Sequence, residues 1–442
     1  MGFARELVAN AQVPPPEALV VEGMFSEHDL PLEGAACERL LCLRGALGSA
    51  PTLEGDPSGW LQIGLSSNLD LETYTRPPLS LVFTVDISGS MDWEYSTPYN
   101  EYQTPLGVAK AQMRELVPTL NAEDEVAIVA YGSEARTVLD FTSGDEQEVI
   151  LGAIRDLKSE GSTNMEAGLI QAYRLIGRAD AETSQRVMLF TDVQPNVGAT
   201  TATEFETLVQ EGASAGVGLT VFGVGVGLGP EVMQAMSNVR GGNAFTLFGS
   251  RDVNKILEED WPWLANPIAY DLTLEVTPSD DFEVAEGYGF PTADREAKLQ
   301  TSTVFLSKRK GALLVRLEPT AETTDLAVSG SLTYETLTGE EVTDTLQAAL
   351  DASDDFVFEQ ASVGKTVALA LLVANAKDAA ELYATQQDAA VTLMRAAAER
   401  FEADVERLGA DAGSLRDEVA FADALLTLME EGAEQGTLYG QF

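Results

Sequence analysis

The chain has 442 residues, too many for one hydrophobic core, and is expected to divide into two to four domains. Its 71 acidic residues against 27 Lys and Arg give a formal net charge of −44 at pH 7. That excludes nucleic acid as a partner, because phosphate binding needs basic side chains to displace counterions; it fits solubility, cation binding or a salty environment.

The N-terminal stretch MGFARELVANAQVPPPEALVVEG lacks the apolar run of a signal peptide, and no 18-residue apolar segment follows it. The chain is therefore expected to be cytoplasmic, or a mature fragment whose export signal has been removed. Cys37 and Cys42 lie five apart in CERLLC, and His28 is the only histidine, so the ligands for a zinc site are lacking. A local disulfide suits an exported chain; two buried thiols suit one that stays inside the cell.

Residues 1–78 read as an N-terminal segment whose β-patterned stretch GWLQIGLSSNLDLET is expected to pack on a later β-domain. From 79 to 265, strand and helix alternate. LSLVFTVD is the first strand, and a helix follows from about Thr104. EVAIVAYG and ARTVLDF lie close together as a hairpin at the sheet edge. DEQEVILGAIRDL and NMEAGLIQAYRLIGR repeat apolar residues at helical spacing. RVMLFTD is a second buried strand, TEFETLVQEGASAG a helix, LTVFGVGVG a strand, PEVMQAMSNVR a helix opening on proline, and AFTLF a last strand. The alternation predicts an α/β fold, a doubly wound, mostly parallel sheet with helices on both faces. Residues 266–362 alternate strands with Gly-rich turns and read as an antiparallel, sandwich-like β-domain, in which the α/β block is inserted or by which it is flanked. Residues 363–442 turn helical. Val391 to Leu408 and Leu415 to Met429 carry apolar stripes, which predicts an αα-hairpin, its second helix opened by a capping box of Ser414 and Asp417.

The stretch LVFTVDISGSM (81–91) carries the chemistry. Parallel strands deliver their C-terminal ends to one edge, where ligands bind. Asp86 and Asp192 each close an apolar strand, so both carboxylates are expected there. The D-x-S-x-S spacing sets Asp86, Ser88 and Ser90 on one loop, and Thr163 in EGSTNMEAGL heads a helix that reaches the same crevice. Hard oxygen donors without Cys or His suit Mg²⁺, Mn²⁺ or Ca²⁺.

DISGS, GSTN and FTDVQPN together resemble, in order and spacing, the von Willebrand factor A domain with its metal-ion-dependent adhesion site. The resemblance implies Ser88, Ser90 and Thr163 as direct ligands, with Asp86 and Asp192 binding directly or through water. Val193 stands where that family often has glycine. VPPPEALVVEGMF, GWLQIGL, RPPLSLVFTVDISGSM and NPIAYDLTLEVTPSDDFEVAEGYGF are similar to the bacterial YfbK-like envelope lipoprotein family. It implies an envelope or surface ectodomain without its anchor, an export that favours the Cys37–Cys42 disulfide. The function implied is a non-enzymatic binding module in which a divalent cation, magnesium first, bridges to an Asp or Glu carboxylate of a partner protein. The alternative is an assembly factor acting with a separate AAA-type ATPase. A catalytic reading has only carboxylates to serve as base or nucleophile near the metal, with His28 the only imidazole and no Cys–His pair.

Other motifs carry less. GVGVGLG (223–229) does not meet G-x-G-x-x-G, and VGKT (363–366) has Glu359 where a P-loop needs its first glycine. MDWEYSTPYNEY is expected as an aromatic, acidic rim beside the site. NAEDE (121–125) reads as a turn and cap, and Trp261 and Trp263 as packing at the domain junction.

Overall fold

The computed structural model describes residues 1–69, 74–96, 102–180, 182–192, 195–225, 230–249, 253, 263, 265–289, 298–305 and 312–436. The chain opens with α1 (Gly2–Ala9) and the short α2 (Val21–Phe25), then β1 (Cys42–Ser49) and β2 (Gly59–Ser66). Cys37 and Cys42 are joined by a disulfide where β1 begins.

The sheet that follows consists of β3 (Leu79–Asp86), β6 (Glu125–Tyr131), β7 (Ala135–Ser143), β8 (Ser184–Thr191), β9 (Gly218–Val224) and β10 (Gly242–Leu247), in the order β10-β9-β8-β3-β6-β7. All neighbours are parallel except β7, which pairs antiparallel with β6 as the edge hairpin. Side chains alternate between faces at a period of two, so a strand covered on both sides must be apolar throughout. In β3, Leu81, Phe83 and Val85 pack with Leu106 and Met113 of α3 (Pro105–Leu116) and Ile150 and Ile154 of α4 (Gln147–Asp156). Val82 faces the other way, toward Met165 and Leu169 of α5 (Met165–Ile176) and Phe205 and Val209 of α6 (Ala202–Ser214). Between β3 and α3, β4 (Tyr95–Ser96) and β5 (Tyr102–Gln103) form a small hairpin, and α7 (Pro230–Ser237) lies between β9 and β10.

The remaining strands form two antiparallel sheets. They are β11 (Pro267–Pro278), β12 (Phe282–Tyr288), β13 (Lys298–Phe305), β14 (Leu313–Pro319), β15 (Asp325–Thr336), β16 (Glu341–Asp351) and β17 (Val357–Phe358). One sheet runs β12-β14-β2-β1-β17 and the other β13-β11-β15-β16. They share a core in which Leu43, Leu47, Leu61 and Ile63 meet Leu272, Leu274, Leu326 and Leu332. Chain from before the α/β layer is therefore hydrogen-bonded to chain from after it, with Leu61 opposite Val315.

The C-terminal region holds three helices, α8 (Ala361–Tyr383), α9 (Gln387–Leu408) and α10 (Leu415–Glu430); α9 and α10 carry the two expected apolar stripes, and α8 precedes them as a further helix. Helix α8 shows no apolar stripe because 16 of its 23 residues are buried, so burial nearly all round erases the periodic signal. The expected capping box is absent. Ser414 has helical backbone angles and caps nothing; its hydroxyl instead meets His28 Nδ1 at 2.8 Å. The second ring nitrogen of His28 lies 3.2 Å from Glu418, which Arg5 also holds at 2.8 Å. Three elements distant in sequence thus lock the termini together. Among the described residues, no helix is long and apolar enough to cross a membrane.

The stretch NAEDE does not cap a helix. Asp124, 1% exposed, accepts the Leu79 and Asn121 backbone N–H groups at 2.9 and 2.6 Å and pairs with the Arg76 guanidinium at 2.5 Å. Burial alone would raise this carboxyl, but Arg76 and the two N–H groups hold it below its ordinary value. A lowered carboxyl stabilises the fold above its unfolded value, and that stability disappears as pH falls through the folded one. Asp124→Ala leaves a guanidinium and two donors unmatched at the entrance to β3, and urea unfolding should register a loss of about 2–4 kcal/mol. A loss under about 0.5 kcal/mol would contradict the clamp.

Candidate metal centre

The site lies where β3 and β8 end side by side. Their parallel register pairs Val85 with Phe190, so Asp86 and Thr191 leave the sheet together, and the Thr191 hydroxyl donates to Asp86 Oδ2 at 3.0 Å. The backbone N–H of Ser88 donates to Asp86 Oδ1 at 2.8 Å, folding the loop back over the carboxylate. Asp86 is fully buried, forms no salt bridge among the described residues, and Asp192 beside it is only 5% exposed. Burial, and then the charge of Asp192, push the Asp86 carboxyl up to about 6. The sheet edge therefore concentrates negative charge in a desolvated place.

The two serines stand next to this carboxylate, their hydroxyls 3.2 Å apart, with Ser88 buried and Ser90 half-buried. Gly89 between them donates its N–H to the Gly161 carbonyl at 3.1 Å. The same loops are tied twice more, by the Ser159 hydroxyl on the Ser88 carbonyl (3.0 Å) and the Glu160 N–H on the Ile87 carbonyl (2.5 Å). Gly161 has φ +81°, and a Cβ there would stand 2.9 Å from the Ser133 nitrogen, so the turn into α5 needs glycine. Thr163, 1% exposed, is held from the opposite side. Its N–H donates to Asn196 Oδ1 at 3.0 Å, and its carbonyl accepts the Asn196 and Val197 N–H groups at 3.1 and 3.2 Å. Asn164 accepts the Ala167 N–H at 3.1 Å and caps α5, fixing where Thr163 leaves the loop.

Asp86, Ser88, Ser90 and Asp192 are thus in direct contact or in one another's electrostatic field. Thr163 joins them through loops bonded to both the Ser88 turn and the segment after Asp192. Residues 193 and 194 lie outside the described residues. The donor set, two carboxylates and three hydroxyls without nitrogen or sulfur, fits a hard divalent cation. Among the described residues no cluster of three or more His, Cys, Asp or Glu occurs, so hydroxyls have to complete any such site. Three supporting residues escape a reading by motif: Thr191, Asn196 and Tyr131. Tyr131 ends β6 opposite Asp86, and burial together with the Asp86 charge drives its hydroxyl far above the ordinary value. Thr191 and Asn196 do sit within the FTDVQPN stretch, but only the folded loops reveal what they bind.

Around the edge, Trp93 and Tyr102 are 70% and 78% exposed, and Tyr95 is anchored by its hydroxyl on the Phe248 carbonyl at 2.7 Å. Residues 97–101 of this rim lie outside the described residues, as do 226–229 of GVGVGLG and Trp261. VGKT is continuous helix in α8 and cradles nothing. Trp263 is buried and packs at a tilt against Tyr74, the ring centroids 5.1 Å apart.

A carboxyl raised by folding binds protons more tightly in the folded state, so its ionisation opposes folding. That penalty is absent below the unfolded value near 3.8 and complete above the folded value of about 6. In chelator-treated protein, Asp86→Asn should therefore raise stability at pH 7.5 by roughly 1–3 kcal/mol and flatten the decline between pH 4 and 6. An unchanged pH profile would show that Asp86 is not strained by its surroundings.

Residues 81–194 match the von Willebrand factor type A domain family. Protein YfbK of Escherichia coli (strain K12) is 27% identical over 279 residues, which cover 62% of this chain and 47% of YfbK. Human inter-alpha-trypsin inhibitor heavy chain H2 is 23% identical over 204 residues, 43% of this chain and 20% of that protein. The chain thus spans about half of one relative and a fifth of the other. A von Willebrand factor type A structure from Catenulispora acidiphila aligns over 92% of this chain and 100% of its own at 13% identity, with a TM-score of 0.49. Residues 81–194 of the α/β layer are thus similar to a von Willebrand factor type A domain, in a chain similar to YfbK over 62% of its length.

Proposed function

We propose that the chain is a metal-dependent protein-binding module of the adhesion type, acting at the bacterial cell envelope or surface, with no chemistry of its own. The observation that carries this reading is the pair of buried carboxylates at the sheet edge, Asp86 and Asp192, with Ser88 and Ser90 at their side. Asp86, Ser88, Ser90, Thr163 and Asp192 would hold one divalent cation, Mg²⁺ by preference, with Mn²⁺ or Ca²⁺ able to replace it. When bound, the cation supplies an electrophile for a carboxylate oxygen of a partner's Asp or Glu. The chain's own residues preorganise that encounter. Thr191 and the Ser88 N–H orient Asp86, and Asn196 holds the Thr163 backbone. Trp93 and Tyr102 offer exposed aromatic surface at the rim.

Charge shapes recognition as well. A net charge of −44 repels an acidic partner at long range, so affinity has to come from short-range bonding at the metal, and salt that screens the repulsion should help association. His28, the only imidazole, is engaged with Ser414 and Glu418 and serves the termini.

A ligand that binds only the folded state stabilises it by about 2.7 kcal/mol at a hundredfold excess over Kd. Mg²⁺ should raise the melting temperature of wild type over that in EDTA, and Asp86→Ala or Asp192→Ala should erase the difference. Thr163→Ala should lower metal affinity while leaving the melting temperature in EDTA nearly unchanged. Identical melting of wild type and Asp86→Ala with and without Mg²⁺, Mn²⁺ and Ca²⁺ would overturn the reading.

A further inference from the structure

A second charged site lies at the other end of the α/β layer, where β8 and β9 begin. Arg186 is 1% exposed, near the start of β8. Its Nε donates to the Ala265 carbonyl at 2.9 Å, and Nη1 to the Thr220 hydroxyl at 3.0 Å and Asn243 Oδ1 at 3.5 Å. The guanidinium lies 5.4 Å from the Phe305 ring. Among the described residues no carboxylate pairs with it, and Nη2 has no acceptor. Burial pushes this guanidinium down to about 10, so it remains a cation at neutral pH.

The group opens on a cavity of about 510 Å³ between the α/β layer and the sandwich, lined also by Gly218, Gly241, Arg240, Tyr270 and Leu337. Arg240 is already neutralised. It pairs with Asp271 at 2.7 Å and Glu335 at 2.5 Å and lies over the Tyr270 ring. Among the described residues Arg186 has no such partner. The strand register sets Gly218 opposite Arg186, and a Cβ at 218 would stand 2.6 Å from Nη2. Glycine there leaves room for the guanidinium to lie along the cavity wall. A buried cation without a counter-charge is costly unless something supplies one. In a chain with 44 more negative than positive charges, a guanidinium left unpaired by every described carboxylate points to an anion from outside.

We propose that Arg186 and this interdomain cavity form a binding site for a small oxyanion, a phosphate or a carboxylate, gripped through Nη2. With Nε and Nη1 engaged, the two Nη2 hydrogens are what the guanidinium has left to donate to the oxygens of such an anion. This site is independent of the metal edge.

The test compares thermal melting of the full chain in phosphate, acetate and chloride at constant ionic strength and pH, in EDTA so that the metal edge is silent. Phosphate or acetate should raise the wild-type melting temperature saturably by about 2 °C or more above chloride, the larger response naming the preferred anion. Arg186→Met should lose that dependence, and Arg186→Lys should weaken it at least tenfold in half-saturating concentration. No response above chloride, or an equal response in Arg186→Met, would overturn the site. Should Arg186→Met fail to fold, a wild-type crystal grown in phosphate decides: density within hydrogen-bond distance of Nη2 supports the site, and a cavity holding only water overturns it.

Discussion

The architecture depends on one constraint, the burial of the Asp86 carboxylate at the end of an otherwise apolar strand. A carboxylate in that position opposes folding unless its charge is answered. Among the described residues the answer is partial, hydrogen bonds from Ser88 and Thr191, while Asp192 adds repulsion. Loops that could relax away from this repulsion are prevented from doing so. The turn at 159–163 is fastened to the Ser88 loop on one side and to Asn196 on the other. The sheet edge is thus stiff and electrostatically unfinished, which is the state in which a cation gains most by binding.

The rest of the chain supplies the stiffness. Because β2 lies between β1 and β14, the strand that enters the α/β layer departs from a sheet that the chain completes only after leaving it. Both ends of the layer are consequently anchored in one sandwich, with Arg76 and Asp124 fixing the entry to β3. The helices at the C-terminus pack on the same sandwich and hold the N-terminal segment through His28, Glu418 and Arg5. The Asp86–Asp192 edge and the Arg186 cavity stand at opposite ends of the same parallel strands, one rich in negative charge and the other holding a buried positive one.

Much of this was legible in the residues. LSLVFTVD and RVMLFTD carry apolar runs, Leu81 to Phe83 and Val187 to Phe190, because both faces of a parallel sheet are covered, and each ends in the carboxylate that the fold places at the edge. The edge hairpin of β6 and β7 could be read from the short gap between two strand patterns. What was not legible depends on contacts distant in sequence. Ser414 and Asp417 have the spacing of a capping box, yet Ser414 turns to His28, almost the whole chain away. Helix α8 is buried nearly all round and shows no stripe from which its limits could be drawn. Arg186 looks like one ordinary charge at the start of a strand, and Thr191 and Asn196 like neighbours of a motif; only folding shows the first buried and the others orienting Asp86 and Thr163.

The central claim is that the described oxygen donors share one metal ion. A crystal of the full chain soaked in Mn²⁺ tests it most directly, since the ion's anomalous scattering locates it without reference to stability. The account predicts a single strong peak at the sheet edge, within about 2.0–2.5 Å of the Ser88, Ser90 or Thr163 hydroxyls or of the Asp86 or Asp192 carboxylates. Asp86→Asn crystals should lack it. A soaked wild-type crystal with no peak there, or with manganese bound only to surface carboxylates, would contradict the account.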